Sequence, residues 1–249
     1  MNDLSQFEAL CETGEVHEYT LEDTKIIEPL IEIVFTDCTF INVQFVGEEF
    51  EQCKFIDCTF QQTNFSSQKL NECQFEQCLF YDQDAEVGCA FKFSNLSGTR
   101  FKHCDLSMCN FSRANLYRCS IDHCQAQGAD FSQVTAESDI GGKIRLFDLT
   151  ISESNFSYSD FTGAELEAAT ITQCRLIHSD LSGVDLTDSE LTDNELHGIT
   201  ASGLTLIGAD LRGSGLEGLD VRDIDMKGVT IDAAQQRVLL ETIGIIVSD

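Results

Sequence analysis

"CQFEQCLFYDQDAEVGCAFKF", residues 73–93, sets the pattern Cys-x-Phe three times, at Cys73 and Phe75, Cys78 and Phe80, and Cys89 and Phe91. The first two copies are five residues apart, and the third follows after eleven, where ten would keep the beat. Working outward, every fifth residue from Phe35 to Phe80 is Phe except Leu70. After the long step the beat resumes at Phe91, Leu96, Phe101, Leu106 and Phe111, and it persists to Ile231. A small residue sits two positions before most centres, as at Cys38, Cys53, Ser94, Ala114, Ala129 and Ser179. Residues two apart share one face of an extended chain.

A period of five fits neither regular element. Five residues of α-helix drift by ~140°, so no stripe forms. In a straight strand an odd period throws every second centre to the opposite face. The chain must instead turn at each repeat so that all centres face one axis. A coil stacked on itself satisfies that demand, with backbone groups bonding between coils ~4.8 Å apart.

The repeat also explains the cysteines. All but Cys11 of the 12 Cys occupy the small inward position. The Cys-x4-Cys pairs are therefore the repeat, whereas a zinc ribbon needs close pairs converging on one ion. His103 and His123 lie twenty residues apart, but Cys104 and Cys124 beside them point inward, so no cage closes. "IGGKI", residues 140–144, lacks a P-loop's spacing and hydroxyl. No nucleophile–base set is present. The reading is a non-enzyme with no catalytic, cofactor or metal residues.

Net charge is −28, from 43 acids against 15 bases. It disfavours nucleic acid and anionic membrane as direct partners and favours a basic partner. The opening segment lacks a signal peptide's basic and apolar regions, and no apolar run reaches the ~18 residues of a membrane span. The expected location is the cytoplasm, where thiols stay reduced.

The copies "ANLYR" 114–118, "ADFSQ" 129–133, "SDLSG" 179–183 and "ADLRG" 209–213 resemble the pentapeptide-repeat consensus over roughly residues 30–231. The resemblance implies an all-β, right-handed quadrilateral β-helix of about ten coils with four pentapeptides each. The interrupted beat at 80–91, "HCDLSMCNF" 103–111 with "HCQAQGADF" 123–131, the weak-beat stretch 135–151 and the ending 219–249 are similar to the Qnr quinolone-resistance group. That likeness implies two loops, a C-terminal dimerising helix, binding to DNA gyrase or topoisomerase IV, and protection from quinolones by duplex mimicry. The rod's formal charge is about one per 2.3 Å, near the ~1.7 Å of a DNA duplex. The chain departs from the group in an N-terminal extension and in Gly141, Gly142 and Lys143. The alternative is an interaction scaffold without a topoisomerase role.

The expected organisation is an acidic extension over 1–29, the repeat rod over 30–231 and a cap over 232–249. Leu4, Phe7, Leu10 and Cys11 share helical spacing, which predicts a short helix over Asn2–Cys11, the alternative being an acidic tail. Loops are expected near 81–90 and 135–147, presenting Asp82, Asp84 and Glu86, then Gly141, Gly142, Lys143, Arg145 and the off-beat Phe147, unless they are spacers. Sorting centres by position modulo twenty gathers Asp105, Asp148, Glu165, Glu167, Asp185, Asp188 and Asp225 on one acidic side. At the end, Val238, Leu239, Leu240 and Ile243 predict a helix, and Ile245 and Ile246 a short strand. Pairing of two such ends makes a homodimer, and the alternative is a helix capping its own monomer.

Overall fold

In the computed structural model, which describes residues 4–47, 49–140, 142 and 144–248, the chain winds into a four-sided β-solenoid. Four consecutive aromatic centres, Phe35, Phe40, Phe45 and Phe50, each begin a different side, and the sides are named after them below. On the Phe35 side the parallel register runs Val16↔Phe35↔Phe55↔Phe75↔Phe101↔Ile121↔Ile151↔Ile171 through an eight-stranded sheet. Single bridges continue it from Thr170 to Glu190, Asp210 and Thr230.

Two residues per side point inward, the centre and the small residue two before it, and both are buried along most of the rod, less completely at units such as Ile199/Ala201 and Val229/Ile231 near its C-terminal end. The residue two after the centre makes the corner and takes a left-handed conformation, as at Asp37 (φ 54), Gln52 (φ 53), Asp57 (φ 52) and His103 (φ 54). That region is costly for a residue with a Cβ. It recurs because the corner N–H then reaches the next coil, as from Asp37 to Ile56 O at 3.0 Å. Stacked coils also stack their rings. Phe35, Phe55, Phe75 and Phe101 lie 4.7, 4.8 and 5.0 Å apart and within 7° of parallel. Neighbouring sides meet edge-on, as in Phe55 with Phe60 at 5.5 Å and 69°. Both are geometries that aromatic rings favour.

Every cysteine but Cys11 is buried, and all are free thiols. The inward thiols donate to carbonyls of the coil before, as Cys53 to Leu30 O at 3.1 Å and Cys104 to Phe75 O at 3.3 Å. Burial pushes Cys89 and Cys119 up to about 12, so they sit as neutral thiols.

The rod starts earlier than the pentapeptide beat suggests. Strands Glu15–His17, Thr20–Glu22, Lys25–Ile26 and Leu30–Ile31 form a complete first coil, the first three of them within the segment 1–29 read as an extension. Val16, Leu21 and Ile26 keep the spacing in aliphatic residues, and one residue is missing before Leu30, beside the chain's one Pro. Helix α1, Leu4–Cys11, then closes this end. Its Phe7 is fully buried, stacked 6.0 Å from Phe35 and edge-on to Phe40 at 6.2 Å.

At the far end Val221–Asp223 forms a single 3-10 turn, and helix α2, Gln235–Thr242, follows. Asp232 caps α2 by accepting from the Ala234 and Gln235 N–H groups at 2.8 and 3.1 Å. In return Gln235 Oε1 accepts from Asp232 N–H at 2.8 Å, and its Nε2 donates to Leu211 O and Ser214 O. This is a capping box that also plugs the last coil. Residues 245–248 form no strand, contrary to the reading of "IIV": Ile245 N–H donates back to Leu240 O at 3.0 Å, and among the described residues no strand pairs with the segment.

Candidate partner-binding surface

Two interruptions break the uniform rod. The first adds six residues to one coil, so that Phe75 pairs with Phe101. Tyr81–Asp82 pairs antiparallel with Val87–Gly88 to close it. Asp82 was expected to face a partner, but it is only 8% exposed. Its Oδ1 accepts from Asp84 N and Ala85 N, both at 3.1 Å, and its Oδ2 from Gln62 Nε2 at 3.2 Å. The Gln62 bond leads in holding its carboxyl below the usual carboxylate range. Asp82 therefore builds the turn, and Asp84, Glu86 and Val87 remain outside. Gly88 lies against the next coil, where a Cβ would meet Cys109 N at 2.3 Å and the Met108 carbonyl carbon at 2.4 Å.

The second interruption is a hairpin of Glu137–Ile140 with Ile144–Phe147, in register Glu137↔Phe147 to Ile140↔Ile144. Gly142 lies at its tip, while Gly141 and Lys143 fall outside the described residues. Arg145 is no free cation. It bridges Glu137 and Glu165, the latter at 3.0 Å, and its guanidinium lies 5.0 Å from the centre of the Phe147 ring. Phe147 is half-buried beneath it. The exposed apolar side chains are Ile144 and Leu146, which the sequence reading missed. Their signal was alternation within 144–147, which marks one face of a strand.

The hairpin adds ten residues, which is two sides of the square. Ile121 pairs with Ile151, and Thr135 bridges to Glu165. The five-residue beat survives this insertion, but the twenty-residue assignment of sides does not. Asp105 bridges to Gln125 on the Phe40 side. Glu165, Asp185 and Asp225 bridge along the Phe50 side, with Glu167 and Asp188 next to them. Asp148 leaves the hairpin, its N–H bonded to Ala136 O at 3.1 Å. The single face read from sequence is therefore two. Acids concentrate on the Phe50 side and on the adjoining Phe35 side, where Asp57, Glu76, Asp122, Glu153 and Glu190 lie. The Phe40 side from Thr39 to His178 carries only Asp82 and Asp105.

On the Phe35 side the His103 and His123 rings meet edge-on, their centres 5.0 Å apart. His123 is held by Asp122 at Nδ1 and Glu153 at Nε2, both at 2.9 Å. Among the described residues no group of His, Cys, Asp and Glu is arranged to hold a metal ion. None of their helices is long and apolar enough to cross a membrane.

Four five-residue sides per coil, with paired inward residues, define a quadrilateral β-solenoid. The family model for pentapeptide repeats matches residues 33–67, 94–133 and 151–188 in eight copies. The chain is a Qnr-like pentapeptide-repeat protein. It is 38% identical over 80 residues to the pentapeptide repeat protein QnrB4 of Escherichia coli, covering 32% of this chain and 37% of that one. It is 31% identical over 125 residues to the quinolone resistance pentapeptide repeat protein QnrB96 of Scandinavium goeteborgense, covering 50% and 47%. The matched stretches thus span less than half the length of either curated relative. The full-length structure of QnrB1, a plasmid-mediated fluoroquinolone resistance protein, superposes with a TM-score of 0.74 at 28% identity, covering 93% of this chain and all of that one.

Proposed function

We propose that the protein binds a type II topoisomerase, DNA gyrase or topoisomerase IV, in the cytoplasm and protects it from quinolones. The likeness to the full length of a fluoroquinolone resistance protein carries this reading. Two features support it physically. The Phe35 and Phe50 sides offer an extended acidic surface to a DNA-binding groove. The Asp84–Val87 tip and the Ile144/Leu146 hairpin face supply irregular contacts that a repetitive rod lacks.

The protein acts as a homodimer joined at its C-terminal ends. Val238 and Leu239 pack on the molecule's own last coil, and Leu240 is half-buried. Ile243, Ile245 and Ile246 are left exposed, Ile246 by 92%. Joining two such ends removes apolar surface from water and closes under two-fold symmetry. Light scattering is expected to give about 55 kDa, twice the 27.7 kDa chain. An Ile245→Asp, Ile246→Asp variant is expected at the monomer mass, and a monomeric parent protein at micromolar concentration would refute the assembly.

The function is tested by DNA supercoiling with purified gyrase and ciprofloxacin. Adding the protein is expected to restore supercoiling in a dose-dependent way. No protection by a folded, equimolar or excess protein, with gyrase and with topoisomerase IV, would overturn the reading.

A further inference from the structure

The bases of this acidic rod are not evenly spread. Between residues 92 and 118 lie Lys92, Arg100, Lys102, Arg113 and Arg118, and the only acid is Asp105. Outside this belt most bases are neutralised on the spot. Lys54 meets Glu76, Arg175 meets Glu195, Arg212 meets Asp210 and Arg222 meets Asp220. Inside the belt no ion pair forms among the described residues: Arg113 donates to the neutral Gln133 at 2.7 Å and lies over the exposed Phe93 ring at 5.6 Å. The five cations are exposed and wrap from the Phe45 side across the Phe50 side to the Phe35 side.

The belt has a focus. Down the corner between the Phe50 and Phe35 sides stack Gln52, Glu72, Gly98 and Arg118. Gly98 has no side chain there, which opens a groove of about 380 Å³. Gln52, Glu72, Gln74, Arg100 and Arg118 line it. Gln52 Nε2 donates to Glu72 Oε2 at 3.0 Å, which fixes that carboxylate at one end.

We propose that this girdle docks an acidic peptide segment of a protein partner, with one carboxylate seated between Arg100 and Arg118. Guanidinium forks recognise carboxylates in paired geometry. Two features select this class of ligand. The belt is about two coils tall, roughly 10 Å, so a nucleic-acid strand following the rod would run off it onto Glu49, Glu51 and Glu76 or onto Asp122 and Glu153. Within the groove the Glu72 carboxylate repels a doubly charged phosphate more than a singly charged carboxylate. The belt interrupts the acidic surface of the Phe50 and Phe35 sides between residues 92 and 118, and its ligand does not depend on which enzyme that surface engages.

The test is fluorescence anisotropy at low salt, with a labelled hexaglutamate peptide and a labelled DNA duplex as probes, in the absence of any topoisomerase. The peptide is expected to bind the full-length protein, and added salt to weaken it. Arg100→Gln with Arg118→Gln is expected to lower affinity at least tenfold, and Lys102→Gln alone to lower it less. Arg212→Gln with Arg222→Gln, an equal change in charge, is expected to leave it within twofold. Absence of peptide binding, equal loss in the two double variants, or tighter binding of the duplex would each overturn the proposal.

Discussion

At the scale of single residues, the chemistry follows from which position of the five a side chain occupies. His123 stands at an exposed corner between two carboxylates. The hydrogen bond that its ring N–H donates to Asp122, aided by the charges of Asp122 and Glu153, raises its pKa above the ordinary 6.5. A raised histidine favours the folded state below pH 6.5, and that contribution fades as pH rises through the raised value. An NMR titration is expected to place His123 above 6.5, and Asp122→Asn to bring it down; an unchanged midpoint would show that Asp122 is not the cause. Cys11 is the one thiol within reach of reagents, yet burial, with Cys53 and Glu8 nearby, raises it to about 12. A native thiol titration is therefore expected to modify one cysteine slowly, faster as pH rises, and the remainder only on unfolding. More than one reactive thiol in the folded protein would contradict the inward assignment. That assignment was legible in the sequence because burial follows the repeat. The fates of Asp82 and Arg145 were not, since both depend on partners brought close only by coiling: Gln62 one coil away, and Glu165 twenty residues on.

Elements were legible where they keep a period and illegible where an insertion shifts the frame. Helices α1 and α2 announce themselves by the spacing of their apolar residues. The first coil does not, because its aliphatic centres and missing residue hide it from a Phe and Leu pattern. The hairpin hides differently: its ten residues preserve the beat while moving every later unit two sides around. Gly88 sits where the first loop crosses the next coil, so Gly88→Ala must displace backbone. The expected result is a melting temperature lowered by several degrees and faster proteolysis near 82–88; unchanged behaviour would mean that the loop is not seated there. Truncation of the cap at Phe7→Ala is expected to cost about 3–5 kcal/mol in denaturant unfolding, as for other fully buried rings. A loss below about 1 kcal/mol would show that α1 is dispensable to the rod.

Along the whole molecule the core changes material. The centres are mostly Phe as far as Phe161 and almost wholly aliphatic beyond it. Rings stack from coil to coil in the first part. In the second part a small void of about 20 Å³ lies among Leu176, Leu186, Leu196 and Leu206. It is large enough for one water but lined only by apolar side chains, so it stays dry. A solenoid's stability is a sum over neighbouring coils rather than one all-or-none core. The rod is accordingly a zipper with a preferred open end. Amide exchange is expected to be slowest around Phe55–Phe111 and to quicken toward Leu216, and a pulling force to peel coils off from the leucine terminus first. If two molecules are joined at that terminus, each secures the weaker half of the other. Dilution to the monomer should then loosen the last coils well before it touches the aromatic ones.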